Sequence, residues 1–277
     1  MSTEQPFSAM PHLPTPRPLK SSPARYAAGF GLIAAVSAVG MPLAVSLLPS
    51  RVLRIKLTNV LGHITGKAIT RISGARPDFK NREGIERTFP AIYVMNHTST
   101  LDLFLAIWLC PVGGCGVTKK EVAKIPFLGQ LFKLSGHLML DRADKAQAVG
   151  ALTDVAALMK KHNLGLWILP EGTRSHDGIL KAFKTGFVHL AIATKLPVVP
   201  VVVHGAHRIW PRKGGLHAGS LPIEVLDPID TSSWTAETSK DHAQSVHELM
   251  ARALGQMPPV RDAAPEVAPE VTASATA

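Results

Sequence analysis

An α/β domain with a mixed, largely parallel sheet flanked by helices, entered through an N-terminal membrane-associated helical segment, is the fold class this sequence predicts. Three observations carry it. Short β-rich runs alternate with helical patterns after Arg76, the run Ala27–Ser50 holds no charged residue, and both ends of the chain are Pro-rich without an apolar period. Strands alternating with helices indicate a sheet covered on its faces by helices. With 277 residues and 46% hydrophobic content, the chain can bury a sizeable core, so disorder throughout is excluded.

Residues 1–26 carry Pro6, Pro11, Pro14, Pro16, Pro18 and Pro23, and are expected to form a disordered arm. Residues 27–76 are expected to form a membrane-inserted or interfacial helical segment. As a helix, Ala27–Ser50 would reach ~36 Å, against a hydrocarbon core of ~30 Å. Pro42, Gly29, Gly31 and Gly40 interrupt or weaken it. A membrane-inserted or re-entrant hairpin is the favoured reading, beside a buried core helix and a cleaved signal peptide with Val36-Ser37-Ala38 as its cleavage site. After it, Leu53, Leu57, Val60, Leu61, Ile64, Ala68 and Ile72 recur at three- and four-residue spacing, with Arg51, Arg54, Lys56, Lys67 and Arg71 between them. That pattern fits a helix lying in an anionic membrane interface, or an ordinary amphipathic helix packed on the domain.

Residues 77–257 form the α/β domain. Strands are expected at 91–95, 116–118, 138–140, 164–169, 198–203 and 223–226. Helices are expected at 101–109, 126–134, 145–161 and 187–194, with a last one capped by Thr238 or Ser239 and stopped near Gly255 and Pro258. Residues 258–277 read as a disordered, mildly acidic tail.

Lys plus Arg outnumber Asp plus Glu by 30 to 20, a net charge of +10 that favours anionic partners such as phospholipid headgroups, phosphorylated substrates or nucleic acid. Two cysteines, Cys110 and Cys115, cannot build a disulfide framework and read as buried structural residues. His204, His207 and His217 lack ligand spacing, so no metal site is expected. The run Gly113-Gly114-Cys115-Gly116 lacks the Lys-Ser/Thr pair of a phosphate loop. Trp167 and Trp210 read as packing or interface residues, and an aromatic content of 5% is thin for stacking single strands.

Chemistry concentrates at strand ends. In Val94-Met95-Asn96-His97-Thr98-Ser99-Thr100-Leu101-Asp102 an apolar strand ends in turn and cap residues, and Thr98 or Ser99 can cap the helix that follows. His97 then sits on the turn at the carboxyl edge of the sheet, where α/β sites are built. On one continuous helix His97 and Asp102 would face ~140° apart, but with one on the turn and the other in the first helical turn they can meet. The acid would then hold one imidazole nitrogen and leave the other free to take a proton. A capping Asp beside a surface His explains the same pair. In Leu169-Pro170-Glu171-Gly172-Thr173-Arg174-Ser175, Gly172 permits close backbone approach and Arg174 offers a fork suited to phosphate or carboxylate, with Lys181 and Lys184 nearby. An Arg–Glu pair on a polar turn is the alternative. A third strand end, Leu138-Met139-Leu140, leads into Asp141-Arg142.

The ordered blocks NHTSTLD, KKEVAKIPFLGQLF…GHLMLDR, LPEGTRS…FKTG and VPVVV, spanning about Ala91 to Val203, resemble the glycerolipid acyltransferases, most closely the bacterial 1-acyl-sn-glycerol-3-phosphate acyltransferase type. Departures are small: Leu169 stands where the family often has Phe, and His137 and Met139 vary the second block. The resemblance implies that 77–257 is the acyltransferase domain, with His97 the general base and Asp102 its orienting partner. It implies that Lys120, Arg142, Glu171, Gly172, Thr173 and Arg174 hold the phosphate and glycerol of the acceptor, and that Pro200 shapes an acyl or acceptor channel. It further implies direct attack on the acyl thioester with acyl-CoA or acyl carrier protein as co-substrate, no cofactor and no metal. The other expected partners are a lysolipid acceptor and membrane phospholipid, not nucleic acid, at the cytoplasmic face of the inner membrane. The rival functions are transfer to another lysolipid, such as lyso-ornithine lipid or a lysophospholipid, and a non-catalytic basic membrane-binding module.

Overall fold

The computed structural model describes residues 13–140 and 145–256. Their centre is a sheet whose strands run β1 (Arg17–Pro18), β2 (Ala75–Lys80), β3 (Ile92–Met95), β4 (Gly114–Lys119), β5 (Leu138–Leu140), β6 (Gly165–Ile168), β7 (Val198–Val203) and β8 (His217–Val225). The spatial order is β1-β8-β7-β3-β6-β4-β5, with β2 on β8. From β7 to β5 every pairing is parallel, and β8 runs antiparallel to β7. The sheet is therefore mixed and largely parallel, as the alternation predicts. Its central strands are apolar on both faces because helices cover both. Val94, Leu166 and Val202 point into one core with Phe187 and Met250, and Tyr93, Trp167 and Val201 into the other with Leu105 and Ile209.

The covering helices within the domain are α3 (Gly84–Arg87), α4 (Leu101–Leu109), α5 (Leu128–Leu134), α6 (Lys145–His162), α7 (Gly186–Thr194), α8 (Ala206–Ile209) and α9 (Ser239–Ala253). Ahead of them stands a helical hairpin, α1 (Ser22–Ser46) and α2 (Arg51–Ile72). By length and composition α1 is apolar enough to cross a membrane. Pro42 lies inside it without ending it.

The structure corrects the sequence reading at the start of the chain. Residues 17–26 are not a loose arm: Arg17 and Pro18 pair with Ala218 and His217, Leu19 N–H donates to Leu216 O at 2.9 Å, and α1 begins at Ser22. The open backbone groups of β8 supply the partners that the local sequence does not announce. Residues 1–12 and the expected tail 258–277 lie outside the described residues.

The face that α2 buries is made mostly of small and polar residues. Its buried residues are Ile55, Asn59, Gly62, Thr65, Gly66, Ile69 and Thr70, whereas Leu53, Val60 and Ile64 are exposed. The reason is steric: a Cβ on Gly66 would lie 2.3 Å from Phe104 O, and one on Gly62 would lie 2.9 Å from Ile107 O. Small residues thus let α2 lie against α4 at backbone distance, and Asn59 satisfies the buried Gly113 N–H and Gly114 O. Leu53, Val60 and Ile64 of the apolar stripe are left facing outward, while Leu57, Leu61, Ala68 and Ile72 are half-buried.

Candidate active site

Strand β3 delivers its last residues to the carboxyl edge of the parallel sheet, between β6 and β7. Asn96 extends the ladder with its side chain, accepting from Val203 N–H at 2.8 Å and donating to Val203 O at 2.9 Å. The turn that follows is thereby fixed to β7. Ser99 Oγ accepts the Leu101 N–H and donates to Trp210 O, which stabilises the start of α4.

Asp102, in the first turn of α4, is fully buried. Its Oδ2 accepts Thr98 N–H at 2.5 Å, Ser99 N–H at 2.7 Å and the His97 ring at Nδ1, 3.1 Å away. A carboxylate only accepts, so Nδ1 carries the ring proton and Nε2 presents a lone pair. The helix N-terminus favours negative charge at this carboxylate. Nε2 makes no hydrogen bond among the described residues, and the His97 side chain is 20% exposed. The pair can accept a proton at Nε2 and stabilise the resulting imidazolium. The turn geometry brings together what a continuous helix would separate.

Strand β6 supplies the second motif. Glu171 was expected to hold a substrate, but its carboxylate is buried and engaged by backbone. Oε1 accepts His97 N–H at 2.6 Å, and Oε2 accepts Lys181 N–H at 3.1 Å. Burial pushes its carboxyl up to about 7, against the lowering effect of the two N–H groups. Ser175 N–H donates to His97 O at 2.8 Å, so His97 is held on both sides of its main chain. Gly172 takes a left-handed φ of 74°, which lets the chain turn back across the His97 loop.

Thr173 and Arg174 are exposed on that turn. Arg174 Nη1 donates to Thr100 Oγ1 at 2.6 Å, and Lys181 Nζ donates to Arg174 O at 2.9 Å. His176 is held below the usual imidazole range by desolvation first, and then by the charges of Arg174, Arg212, Lys181 and His97. The charges of Arg174, Arg212 and Lys181 thus all reach His176, one residue beyond Ser175, whose N–H holds the His97 main chain. Lys181 was noted in the sequence only as nearby charge, and Arg212 was missed. Its neighbours Pro211, Lys213 and Gly214 give no motif that could have singled it out.

Lys120 opens a short 3-10 helix, Lys120–Lys124, directly after β4 at the same sheet edge. Arg142 lies outside the described residues. Pro200 is buried within β7, paired with Val94 of β3. Cys110 and Cys115 are buried, and burial raises both thiols, Cys115 to about 11. Among the described residues, no group of three or more His, Cys, Asp or Glu side chains is arranged for a metal ion.

Residues 76–204 match the family model described as Acyltransferase. A 1-acyl-sn-glycerol-3-phosphate acyltransferase from Limnanthes alba is 41% identical over 212 residues, covering 76% of this chain and 74% of that protein. The chain belongs to the 1-acyl-sn-glycerol-3-phosphate acyltransferase family. The Escherichia coli (strain K12) member is 33% identical to this acyltransferase over 197 residues, covering 71% of this chain and 79% of that protein. The crystal structure of the 1-acyl-sn-glycerophosphate (LPA) acyltransferase from Thermotoga maritima superposes with a TM-score of 0.69 at 22% identity. It covers 85% of this acyltransferase and 93% of that chain, and so shows the same fold.

Proposed function

We propose that this acyltransferase moves a fatty acyl group from acyl-CoA or acyl carrier protein to the free sn-2 hydroxyl of 1-acyl-sn-glycerol-3-phosphate, giving phosphatidic acid. One observation carries the reading: the His97–Asp102 pair, with Nε2 open, shares its turn with Thr100, on which the Arg174 guanidinium rests, and Lys181 Nζ holds the Arg174 backbone oxygen. The cations suit a phosphate monoester, and the imidazole suits a hydroxyl a short reach away. In the proposed step Nε2 takes the hydroxyl proton as the oxygen attacks the thioester carbonyl. The new C–O bond forms, the C–S bond breaks, and the imidazolium returns its proton to the departing thiolate. Asp102 holds Nδ1–H throughout and offsets the imidazolium charge. No covalent acyl-enzyme and no cofactor beyond the acyl donor enter this scheme. Lys120 and Arg142 are proposed to extend the phosphate site, and Gly172 and Thr173 to line it.

Membrane association is part of the proposal. The acceptor is a lipid, α1 is uncharged from Tyr26 to its end, and α2 turns Leu53, Val60 and Ile64 outward. Because both donors are intracellular, the active site is proposed to face the cytoplasm at the inner membrane. The test is acyl transfer by detergent-purified protein, comparing 1-acyl-sn-glycerol-3-phosphate, lyso-ornithine lipid and lysophosphatidylcholine, with His97→Ala alongside. Transfer to the first acceptor alone, lost in the variant, supports the proposal. Transfer to another acceptor replaces the substrate, and transfer that survives in His97→Ala overturns the base.

A further inference from the structure

A cleft opens at the far end of α4 from the His97 turn. Asp102 and Trp108 stand six residues apart on that helix, ~9 Å along its axis. The cleft lies between α2, α3 and the end of α4 and has a volume of about 330 Å³, with Ile85, Trp108 and Leu109 among its lining residues. Sites of a few hundred Å³ with an apolar floor and a few polar groups are typical of small-ligand pockets.

The polar groups of this cleft are Lys67, Arg82, Glu86 and His63. The guanidinium of Arg82 lies over two rings, 5.0 Å from the centroid of Phe79 and 5.6 Å from that of Trp108, so aromatic faces hold it in place. Neither Lys67 nor Arg82 makes an ion pair or side-chain hydrogen bond among the described residues, and the Glu86 carboxylate makes none either. His63 is committed to the protein: Cys110 O can only accept, so Nε2 donates to it at 2.7 Å and carries the ring proton. Two cations against one carboxylate leave a single positive charge, matching the single negative charge of a phosphodiester better than the double charge of a phosphomonoester.

The cleft is also continuous with the outward stripe of α2. Ile64 lines it and is 58% exposed. Val60 at 47% and Leu53 at 49% follow on the same helical face, four and eleven residues back. Apolar surface leading into a cationic pocket is the arrangement that a lipid, and not a soluble anion, would match at both ends.

We propose that this cleft is a phospholipid headgroup site, holding the phosphodiester of one bilayer lipid between Lys67 and Arg82 while its chains run along Ile64, Val60 and Leu53. The site is separate from the His97 centre, and it rests on the membrane-associated reading of α1 and α2. It would fix the depth and rotation of the hairpin at the interface, as basic residues beside apolar helices do with anionic headgroups.

The experiment is lysine footprinting of the full chain bound to vesicles. Lys67 and Lys56 are both exposed on α2, and their acetylation by a water-soluble reagent is followed by peptide mass spectrometry. Vesicles of phosphatidylglycerol are compared with vesicles of digalactosyldiacylglycerol, which has no phosphate, the latter also with added inorganic phosphate. The proposal expects Lys67 to react roughly tenfold more slowly in phosphatidylglycerol, with Lys56 as the internal reference, the scale of one charge-assisted hydrogen bond. Inorganic phosphate should give no such protection, and Arg82→Gln should lose most of it while acyl transfer persists. Equal labelling of Lys67 in the two vesicle types overturns the site without recourse to any variant. Protection by inorganic phosphate alone makes it a soluble-anion site and overturns the lipid assignment. Protection unchanged in Arg82→Gln assigns it to burial in the bilayer instead. Failure of the protein to float with either vesicle refutes the membrane reading itself, whereas flotation without Lys67 protection refutes only the headgroup site.

Discussion

Glu171 Oε1 lies 2.6 Å from the backbone nitrogen of His97, so the acid of one motif grips the base of another through its main chain. The two residues are 74 positions apart and meet because β3 and β6 are hydrogen-bonded neighbours that end at the same edge. With Ser175 N–H on His97 O, this contact sets where the imidazole stands before any substrate arrives.

That contact has a pH signature. Burial raises the Glu171 carboxyl from 4.5 to about 7. Between those values the folded protein holds a proton there that the unfolded chain has released, so wild-type stability falls as pH rises. The contribution is full below the unfolded value of 4.5 and is lost as pH passes about 7, a change of up to about 3 kcal/mol. Glu171→Gln stays neutral and lacks this slope. Urea midpoints of the two proteins at pH 5 and pH 8 check it, with the wild type losing more on going to pH 8. Parallel behaviour of the two proteins would sink the argument.

Half-buried His137 gives the opposite sign. Its Nδ1 accepts Gly116 N–H at 3.2 Å, and its ring is pushed down to about 4 by desolvation and then by the charge of Arg51. The unfolded chain takes a proton near 6.5 that the folded one refuses, so stability present above that value is lost as pH falls toward about 4. His137→Gln is expected to cost some stability at pH 7.5 through its imperfect fit, and to flatten the acid limb of a melting-temperature profile. A variant whose acid limb is as steep as the wild type's contradicts it.

The proposed roles of His97 and Asp102 predict a sharper result. His97→Ala should lower kcat by roughly 10²–10⁴ with little change in KM, the scale of a lost general base. Asp102→Asn should lose a comparable factor because a neutral amide cannot offset the imidazolium that the carboxylate faces at 3.1 Å. Steady-state kinetics at saturating acceptor separates the two parameters. A kcat within twofold of wild type in either variant removes that residue from the scheme.

How much of this was legible in the sequence follows from where each feature gets its stability. Leu101–Leu109, Leu138–Leu140 and Val198–Val203 stand where their apolar patterns place them, because core burial fixes them locally. His97 and Asp102 were readable because both partners lie on one short turn. Strand β2 was not readable: Ala75–Lys80 contains Pro77 and three charged residues, and it is held by pairing with β8 at the side of the sheet. The orientation of α2 was hidden because Gly62 and Gly66 pack through what they lack, while hydrophobic periodicity weighs only what side chains add. The Glu171–His97 contact depends on which strands become neighbours, and spacing along the chain does not encode that.

The inverted packing of α2 yields a paired prediction. Gly66→Ala puts a methyl group against Phe104 O and Trp108, and should destabilise by about 1–3 kcal/mol, with transfer reduced because α4 carries Asp102. Replacing exposed Val60 and Ile64 together by Ser should leave the melting temperature within a few degrees while weakening flotation with vesicles. If instead the serine variant unfolds early and the alanine variant does not, the buried and exposed faces have been exchanged.

Arg174 separates binding from chemistry. Its guanidinium is exposed, braced by Thr100 Oγ1 at 2.6 Å, while Lys181 Nζ holds its backbone oxygen at 2.9 Å. A braced fork presents its remaining N–H groups without first ordering the side chain, which is how a bidentate phosphate contact gains over a flexible one. Arg174→Ala should therefore raise KM for the phosphorylated acceptor by about 10- to 100-fold, the equivalent of a hydrogen bond to a charged group. Thr100→Val removes only the brace and should give a smaller rise, with kcat near wild type. A 1-monoacylglycerol acceptor, which has no phosphate to lose, should bind equally weakly to all three proteins. If the Arg174→Ala penalty is the same for the phosphorylated and unphosphorylated acceptors, Arg174 supports the turn that carries it and does not recognise the phosphate.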